Sequence, residues 1–168
     1  GFEIYLEDGA LGMALWQALM AAGAPHDVRA GCPNQIERIE GGLLSYGSDM
    51  GRADTPYDCG LGRYCNIDAV PDCIGREALL RAAEAGPVRQ IRPLAIAGPA
   101  VPPSDRHWPL TAEGETVGRV SSAAWSPDFA TNVAIAMVGK SHWEPGTRLT
   151  VETPEGARAA VVQARFWT

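Results

Sequence analysis

Thr116-Val117-Gly118-Arg119-Val120-Ser121-Ser122-Ala123-Ala124-Trp125 and Asn132-Val133-Ala134-Ile135-Ala136-Met137-Val138 are two β-rich runs separated by a short stretch containing Pro127 and Asp128. Turn formers between runs that lack any helical period predict strands. Runs of the same texture occupy 88–96, 147–153 and 157–166, again bounded by Gly, Pro, Asn or Asp. The chain after Pro87 is therefore predicted to form an antiparallel barrel or sandwich. Gly98-Pro99-Ala100-Val101-Pro102-Pro103 reads as a loop within it rather than a linker between domains.

Before Pro87 the texture is different. Phe2, Ile4 and Leu6 alternate with Glu3, Tyr5 and Glu7, the period of a strand, which places Glu3 and Tyr5 on one face. A strand at residue 1 with nothing before it suggests that further chain precedes it. Residues 10–22 carry Leu11, Leu15, Ala18, Leu19 and Ala22 at the spacing of a helix with one buried stripe, with Gly23 as a candidate terminator. A second helix starts near Asn34, with Glu37 completing a capping pair and Ile36, Ile39 and Leu43 on one side. Gly41-Gly42 disfavours its continuation by about 1 kcal/mol per glycine relative to alanine, so either the helix ends there or something approaches closely. A third helix is predicted over 75–85, with Leu79, Leu80 and Ala83 inward, a Glu77/Arg81 pair, and Gly86-Pro87 as its stop.

Composition narrows the function classes. With 168 residues, 46% of them apolar, the chain can bury a core. A net charge of −6 argues against a polyanion-binding surface, so nucleic acid is not an expected partner. No run approaches the roughly 18 apolar residues of a membrane span, and Gly1-Phe2-Glu3-Ile4-Tyr5 lacks the features of a signal peptide, so no membrane partner and a cytoplasmic location are expected. Cys32, Cys59, Cys65 and Cys73 fit neither paired C-x-x-C ligands nor a disulfide scaffold and are read as reduced thiols. His26, His107 and His142 have no partner at metal-ligand spacing, and no metal site is expected.

Three constellations could carry chemistry. Glu3 and Tyr5 place a carboxylate and a phenol side by side. A carboxylate can take two parallel N–H donors, and a phenol ring facing a cation gains roughly 0.5–2 kcal/mol; the solvent face of a half-exposed strand explains the same spacing. In Glu37-Arg38-Ile39-Glu40 the guanidinium can hold a carboxylate or ligand carbonyl in a fork, and a solvated helix face is the alternative. Gly60-Leu61-Gly62-Arg63-Tyr64 lacks the third glycine and the strand-to-helix setting of a dinucleotide fingerprint and reads as a turn. There is no G-x-S-x-G, and the five tryptophans read as core or interface residues.

Taken in order, Gly1-Phe2-Glu3-Ile4-Tyr5-Leu6, Glu37-Arg38-Ile39-Glu40-Gly41-Gly42-Leu43-Leu44-Ser45-Tyr46-Gly47-Ser48-Asp49, Thr55-Pro56 with Gly60-Leu61-Gly62, and Ile74-Gly75-Arg76-Glu77-Ala78-Leu79 resemble the glycine-cleavage T-protein superfamily. After residue 98 the likeness rests on Gly118-Arg119-Val120-Ser121-Ser122, Ser126-Pro127 and Ala134-Ile135-Ala136. The resemblance implies an α+β fold: the C-terminal half of a T-protein-like fold, with residues 1–87 as the end of the folate-binding α+β region and 88–168 as an antiparallel β-barrel domain. It implies tetrahydrofolate as cofactor, Glu3 at the pterin edge, Arg38 by the folate site with Glu40 behind it, and Tyr46 and Asp49 shaping the pocket. No catalytic residue is assigned, since a direct methyl displacement needs no protein nucleophile.

Glu3-Ile4-Tyr5 and Pro33-Asn34-Gln35-Ile36-Glu37-Arg38-Ile39-Glu40 are similar to the tetrahydrofolate-dependent dimethylsulfoniopropionate demethylases within that superfamily. The resemblance implies methyl transfer from a small donor, a sulfonium being favoured, to give 5-methyltetrahydrofolate, with Tyr5 against the substrate cation. Aminomethyl transfer in glycine cleavage, aromatic O-demethylation and non-catalytic folate binding are the alternatives. Members are about twice this length, so an N-terminal half of the same polypeptide is the expected partner.

Overall fold

A computed structural model describes residues 2–31, 34–69, 73–102, 104 and 106–168. Contacts divide the chain into two units, Gly1–Pro33 and Asn34–Thr168.

In the first unit a 3-10 turn, Gly9–Leu11, leads into helix α1, Gly12–Gly23. Asp8 starts it by accepting the Ala10 N–H at 2.9 Å. α1 stops at Gly23 as expected, but in right-handed rather than left-handed backbone: the chain continues into a 3-10 turn, Ala24–His26, and reverses at Asp27, whose φ is 56°. Gly23 is required for another reason, because a Cβ there would stand 2.5 Å from Val28 Cβ. The stripe predicted to be buried is not: Leu11 and Leu19 are exposed and Leu15 is half-buried. Residues 2–6 pair with no other strand among the described residues, so the alternation at 2–7 marks an extended segment without a sheet.

The second unit is built on six strands: β1 Arg89–Ile96, β2 Trp108–Ala112, β3 Glu115–Ser126, β4 Thr131–Gly139, β5 Arg148–Thr153 and β6 Gly156–Val162. They close into a barrel in the order β1-β4-β3-β2-β5-β6, every pairing antiparallel. Closure removes the free edges that a six-stranded open sheet would present. The expected α+β class with a β-barrel is the one observed. β2 is the strand that the sequence reading did not find, since it is short and carries Pro109, which breaks the β-rich texture.

β4 shows why the barrel has two cores. Ala134, Ala136 and Val138 point inward among Leu94, Trp108, Leu110, Val120, Val151 and Val162. Val133, Ile135 and Met137 point outward and pack with Ile91 under Ile39 of α2, Gln35–Glu40. A strand covered on both sides has no polar face, which is why its run is continuously apolar. Small residues inside and larger ones outside fit a narrow interior under a covering helix.

Helix α2 begins as predicted, with Asn34 Oδ1 accepting the Glu37 N–H at 2.9 Å. It ends at Gly41-Gly42, where both expected reasons apply: Gly42 has φ 66°, and a Cβ on it would fall 2.4 Å from the Phe166 ring. The Trp167 N–H donates to Glu40 O at 2.9 Å, so the chain's last residues close over the helix end.

Helix α3, Arg76–Ala85, lies between Gly75 and Gly86, both at positive φ. Leu79 and Leu80 are half-buried, but Ala83 faces solvent. Glu77 contacts Arg76 at 3.8 Å in place of the expected Arg81. The proline-rich loop belongs to the barrel as predicted. The buried Asn132 amide donates to the carbonyls of Ile96, Gly98 and Pro99 at 3.0–3.2 Å, and its oxygen accepts the Val101 N–H at 2.8 Å. Cys59, Cys65 and Cys73 are free thiols; Cys32 lies outside the described residues, as does Pro103 of the loop. No helix is long and apolar enough to cross a membrane among the described residues.

Candidate functional site

The first unit carries Glu3 and Tyr5, both exposed. Their spacing by two brings them together: the Tyr5 hydroxyl donates to Glu3 Oε2 at 2.5 Å. That bond raises the phenol pKa above its usual value, because losing the proton would leave two facing anions. The carboxylate keeps its other acceptor positions open to further N–H donors.

In the second unit the centre of the polar structure is Asp49, whose side chain is fully buried. Its Oδ2 accepts from Arg38 Nη1 at 2.6 Å and from the Ser45 N–H at 2.8 Å. Its Oδ1 accepts the hydroxyls of Ser121 at 2.6 Å and Ser122 at 2.7 Å. Burial pushes the Asp49 carboxyl up, but the serine hydroxyls, the Ser45 amide and Arg38 together outweigh it and hold the group below the usual carboxylate range. Asp49 is therefore an ionised and saturated acceptor with no lone pair left for proton transfer.

Arg38 is equally committed. Besides Asp49, its Nη1 donates to Leu43 O at 2.8 Å, its Nη2 to Ser122 Oγ at 2.7 Å, and its Nε reaches Gln35 Oε1 at 3.4 Å. Ser122 thus accepts from the guanidinium and donates to the carboxylate, closing a ring of charge-assisted bonds. Three separate pieces of backbone are tied: α2, the loop at 43–49, and β3 where its register shifts between Val120 and Ser122. The bulge is what allows adjacent residues Ser121 and Ser122 to reach one carboxylate, because a regular strand would send them to opposite faces.

The structure brings Arg38 and Asp49 together, and no bond links Arg38 to Glu40 among the described residues. Glu40 is buried at the end of α2 and contributes its carbonyl to Trp167 and Thr168. Tyr46 is exposed and forms a single bridge with Met50. Ser121 also lines a cavity of about 420 Å³ with Gly47, Ser48, Arg106 and His107; His107 Nε2 lies 2.8 Å from Ser48 O. Sequence reasoning missed the roles of Ser45, Ser121 and Ser122. The run Gly118-Arg119-Val120-Ser121-Ser122 is recognisable in the sequence, but nothing in its spacing points to Asp49, more than 70 residues away. No cluster of three or more potential metal ligands occurs among the described residues.

The sequence matches models of a known family. The N-terminal domain model of the glycine-cleavage T-protein matches residues 1–69, and the model of the glycine cleavage T-protein C-terminal barrel domain matches residues 89–167. The chain belongs to the glycine-cleavage T-protein family. It is 58% identical over 99% of its length to dimethylsulfoniopropionate demethylase DmdA of Ruegeria pomeroyi, of which it covers 45%. It is 36% identical over 98% of its length to an aminomethyltransferase of Parasynechococcus marenigrum, of which it covers 44%. The crystal structure of the glycine cleavage system aminomethyltransferase T from Bartonella henselae superposes with a TM-score of 0.78 at 23% identity, over 95% of this chain and 44% of that one. The chain thus spans less than half the length of these relatives.

Proposed function

We propose that the polypeptide carrying this chain is a tetrahydrofolate-dependent demethylase of a small sulfonium donor, dimethylsulfoniopropionate being the favoured substrate, and that 5-methyltetrahydrofolate is its product. The carrying observation is the Glu3–Tyr5 pair, a carboxylate with free acceptor positions beside a phenol ring. The higher identity to the demethylase than to the aminomethyltransferases supports the same reading. When bound, tetrahydrofolate supplies the nitrogen that accepts the methyl group.

The roles of the chain's own residues follow from their chemistry. Glu3 takes the pterin's paired N–H groups, which orients the ring. Tyr5 is held by Glu3 and offers its ring to the donor cation; as the methyl leaves, the sulfur becomes a neutral thioether and the attraction relaxes, which favours release. Within the second unit Arg38, proposed for the folate side, acts with Asp49 and Glu40 by holding α2 and the loop bearing Tyr46, since the guanidinium's donors are largely taken up within the chain. Tyr46, being exposed, remains the pocket-shaping candidate of that loop.

Residues 1–87 act in this reading as the folate-side region and 88–168 as a supporting barrel, in a cytoplasmic enzyme of one-carbon metabolism. An N-terminal half of the same polypeptide completes the pocket. The exposed apolar side chains of α1, Leu11, Met13, Trp16 and Leu19, are the surface it would cover. Aminomethyl transfer, the activity named for several relatives, is the competing chemistry.

Calorimetric titration of tetrahydrofolate into the intact native polypeptide, with Glu3→Gln as matched control, tests the proposal. Saturable binding weakened at least tenfold, about 1.4 kcal/mol, is expected, followed by sulfonium-dependent methylation of the folate. Unchanged affinity in Glu3→Gln would remove Glu3 from the folate site. Turnover of an aminomethyl donor without sulfonium turnover would reassign the reaction.

A further inference from the structure

One cavity of the second unit lies on the outer face of the barrel, where β1, β4, β3 and β2 run side by side. It measures about 560 Å³ and is lined by Val88, Pro109, Val117 and Met137 together with Arg89 and Arg119. That volume falls within the roughly 300–1,000 Å³ of small-molecule pockets. Behind the arginines stands Asp54, almost fully buried. The two cations share this carboxylate unequally.

Arg89 is committed. Its Nη2 lies 3.0 Å from Asp54 Oδ1, a charge contact rather than an aligned hydrogen bond, and donates to Ala53 O at 3.1 Å. Asp54 Oδ2 is taken by the Gly51 N–H at 2.9 Å. Arg119 is left with a contact of 3.9 Å from its Nη2 to Asp54, and its Nε is buried without a hydrogen-bond partner among the described residues. His107, the remaining titratable group of the lining, has its Nε2 at Ser48 O. Among the described residues one guanidinium therefore stands in a mostly apolar cleft without a hydrogen-bond partner, in a chain whose net charge is −6. A buried N–H without an acceptor is unfavourable, and a guanidinium fork matches a carboxylate in shape and charge.

We propose that this cleft binds a carboxylate carried on an apolar body, with Arg119 holding the carboxylate and the walls from Val88 to Met137 covering the body. A monoanion balances the surplus cation, and the mostly apolar lining excludes a compact, strongly hydrated ion such as inorganic phosphate. Gly118 and Gly139 let the paired strands β3 and β4 approach closely in the lining: a Cβ on Gly118 would fall 2.2 Å from Met137 O. The inference is independent of the folate reading, since it uses neither Glu3 nor Tyr5.

The test is a calorimetric titration of 2-naphthoate into the intact native polypeptide, compared with the uncharged 2-naphthylmethanol. Saturable naphthoate binding is expected, at least tenfold tighter than the alcohol. Arg119→Gln should weaken naphthoate at least tenfold and leave the alcohol unchanged. Thr116→Glu, an exposed position in the lining, should weaken it as well by placing a competing carboxylate beside Arg119, and it gives the answer if Arg119→Gln does not fold. Glu3→Gln should leave naphthoate binding intact. Equal affinity for acid and alcohol, no saturable binding, or folded variants with unchanged affinity would overturn the proposal.

Discussion

Arg38 and Asp49 meet at 2.6 Å beneath β3, and each has its remaining polar contacts satisfied by the chain itself. Removing either partner strands the other. Breaking such a buried pair typically costs about 3–5 kcal/mol. Asp49→Ala should therefore lower the unfolding free energy of the intact polypeptide by roughly that amount, and Arg38→Lys by less, because an ammonium keeps the charge but cannot span Asp49, Leu43 and Ser122 at once. Urea unfolding measures both; a loss below about 1 kcal/mol in Asp49→Ala would mean the network is not structural.

The same carboxylate makes stability depend on pH. Its folded pKa lies below the unfolded value of about 3.9. The unfolded state therefore takes up the proton first, and the stabilisation is complete above the unfolded pKa and is lost as pH falls through the folded one. Asp49→Asn should be less stable at neutral pH but flatter in acid, so that its stability curve and that of the native protein converge as pH falls through the lowered folded pKa of Asp49. Parallel curves would show that Asp49 carries no such linkage.

Asn132 holds the loop after β1 through four bonds from a fully buried amide. Asn132→Ala removes the amide's bonds to three carbonyls, of which Pro99 O still accepts from Arg158 Nη1, leaves the Val101 N–H without its acceptor, and should cost about 2–4 kcal/mol. Hydrogen exchange should show the Val101 amide losing protection while β4 amides keep theirs.

Gly42 and Phe166 form a second specific contact. Gly42→Ala combines a left-handed backbone with a collision against the ring, about 2 kcal/mol or more. In a double-mutant cycle with Phe166→Ala the two losses should sum to more than the double mutant shows, since the ring is half of the conflict. Strict additivity in thermal unfolding would place the effect of Gly42 in its backbone alone.

Cysteine reactivity gives an independent check on burial. The Cys59 thiol is pushed up to about 11, first by burial and then by Asp54 and Asp58. Cys73 is exposed. At pH 8 iodoacetamide should label Cys73 well before Cys59, as read by peptide mass mapping.

Local chemistry made much of this legible in advance. Asn34 with Glu37 predicts the start of α2, Gly41-Gly42 its end, and Gly86-Pro87 the end of α3, because caps and positive-φ residues act over a few positions. The β-texture after Pro87 predicts five of the six strands. β2 escaped because Pro109 is tolerated in a strand by its neighbours, which single-chain texture does not record. The buried stripe of α1 and a sheet at residues 2–6 failed for a shared reason: periodicity states which side of a segment is apolar, while burial and pairing need a partner surface.

The site divides in the same way. Glu3 and Tyr5 are two residues apart, so an extended backbone alone puts them side by side, and their hydrogen bond follows from the sequence. Asp49, Arg38, Ser121 and Ser122 are joined only because α2 lies on the barrel and β3 bulges beneath it. Long-range polar contacts depend on which backbone atoms the fold leaves without partners. The sequence by itself determined where helices begin and end, that the second half is β, and that a carboxylate and a phenol are paired near its start. Tertiary structure alone decided that Arg38 turns inward, that two adjacent serines share one carboxylate, and that Arg119 is left in an apolar cleft with donors to spare.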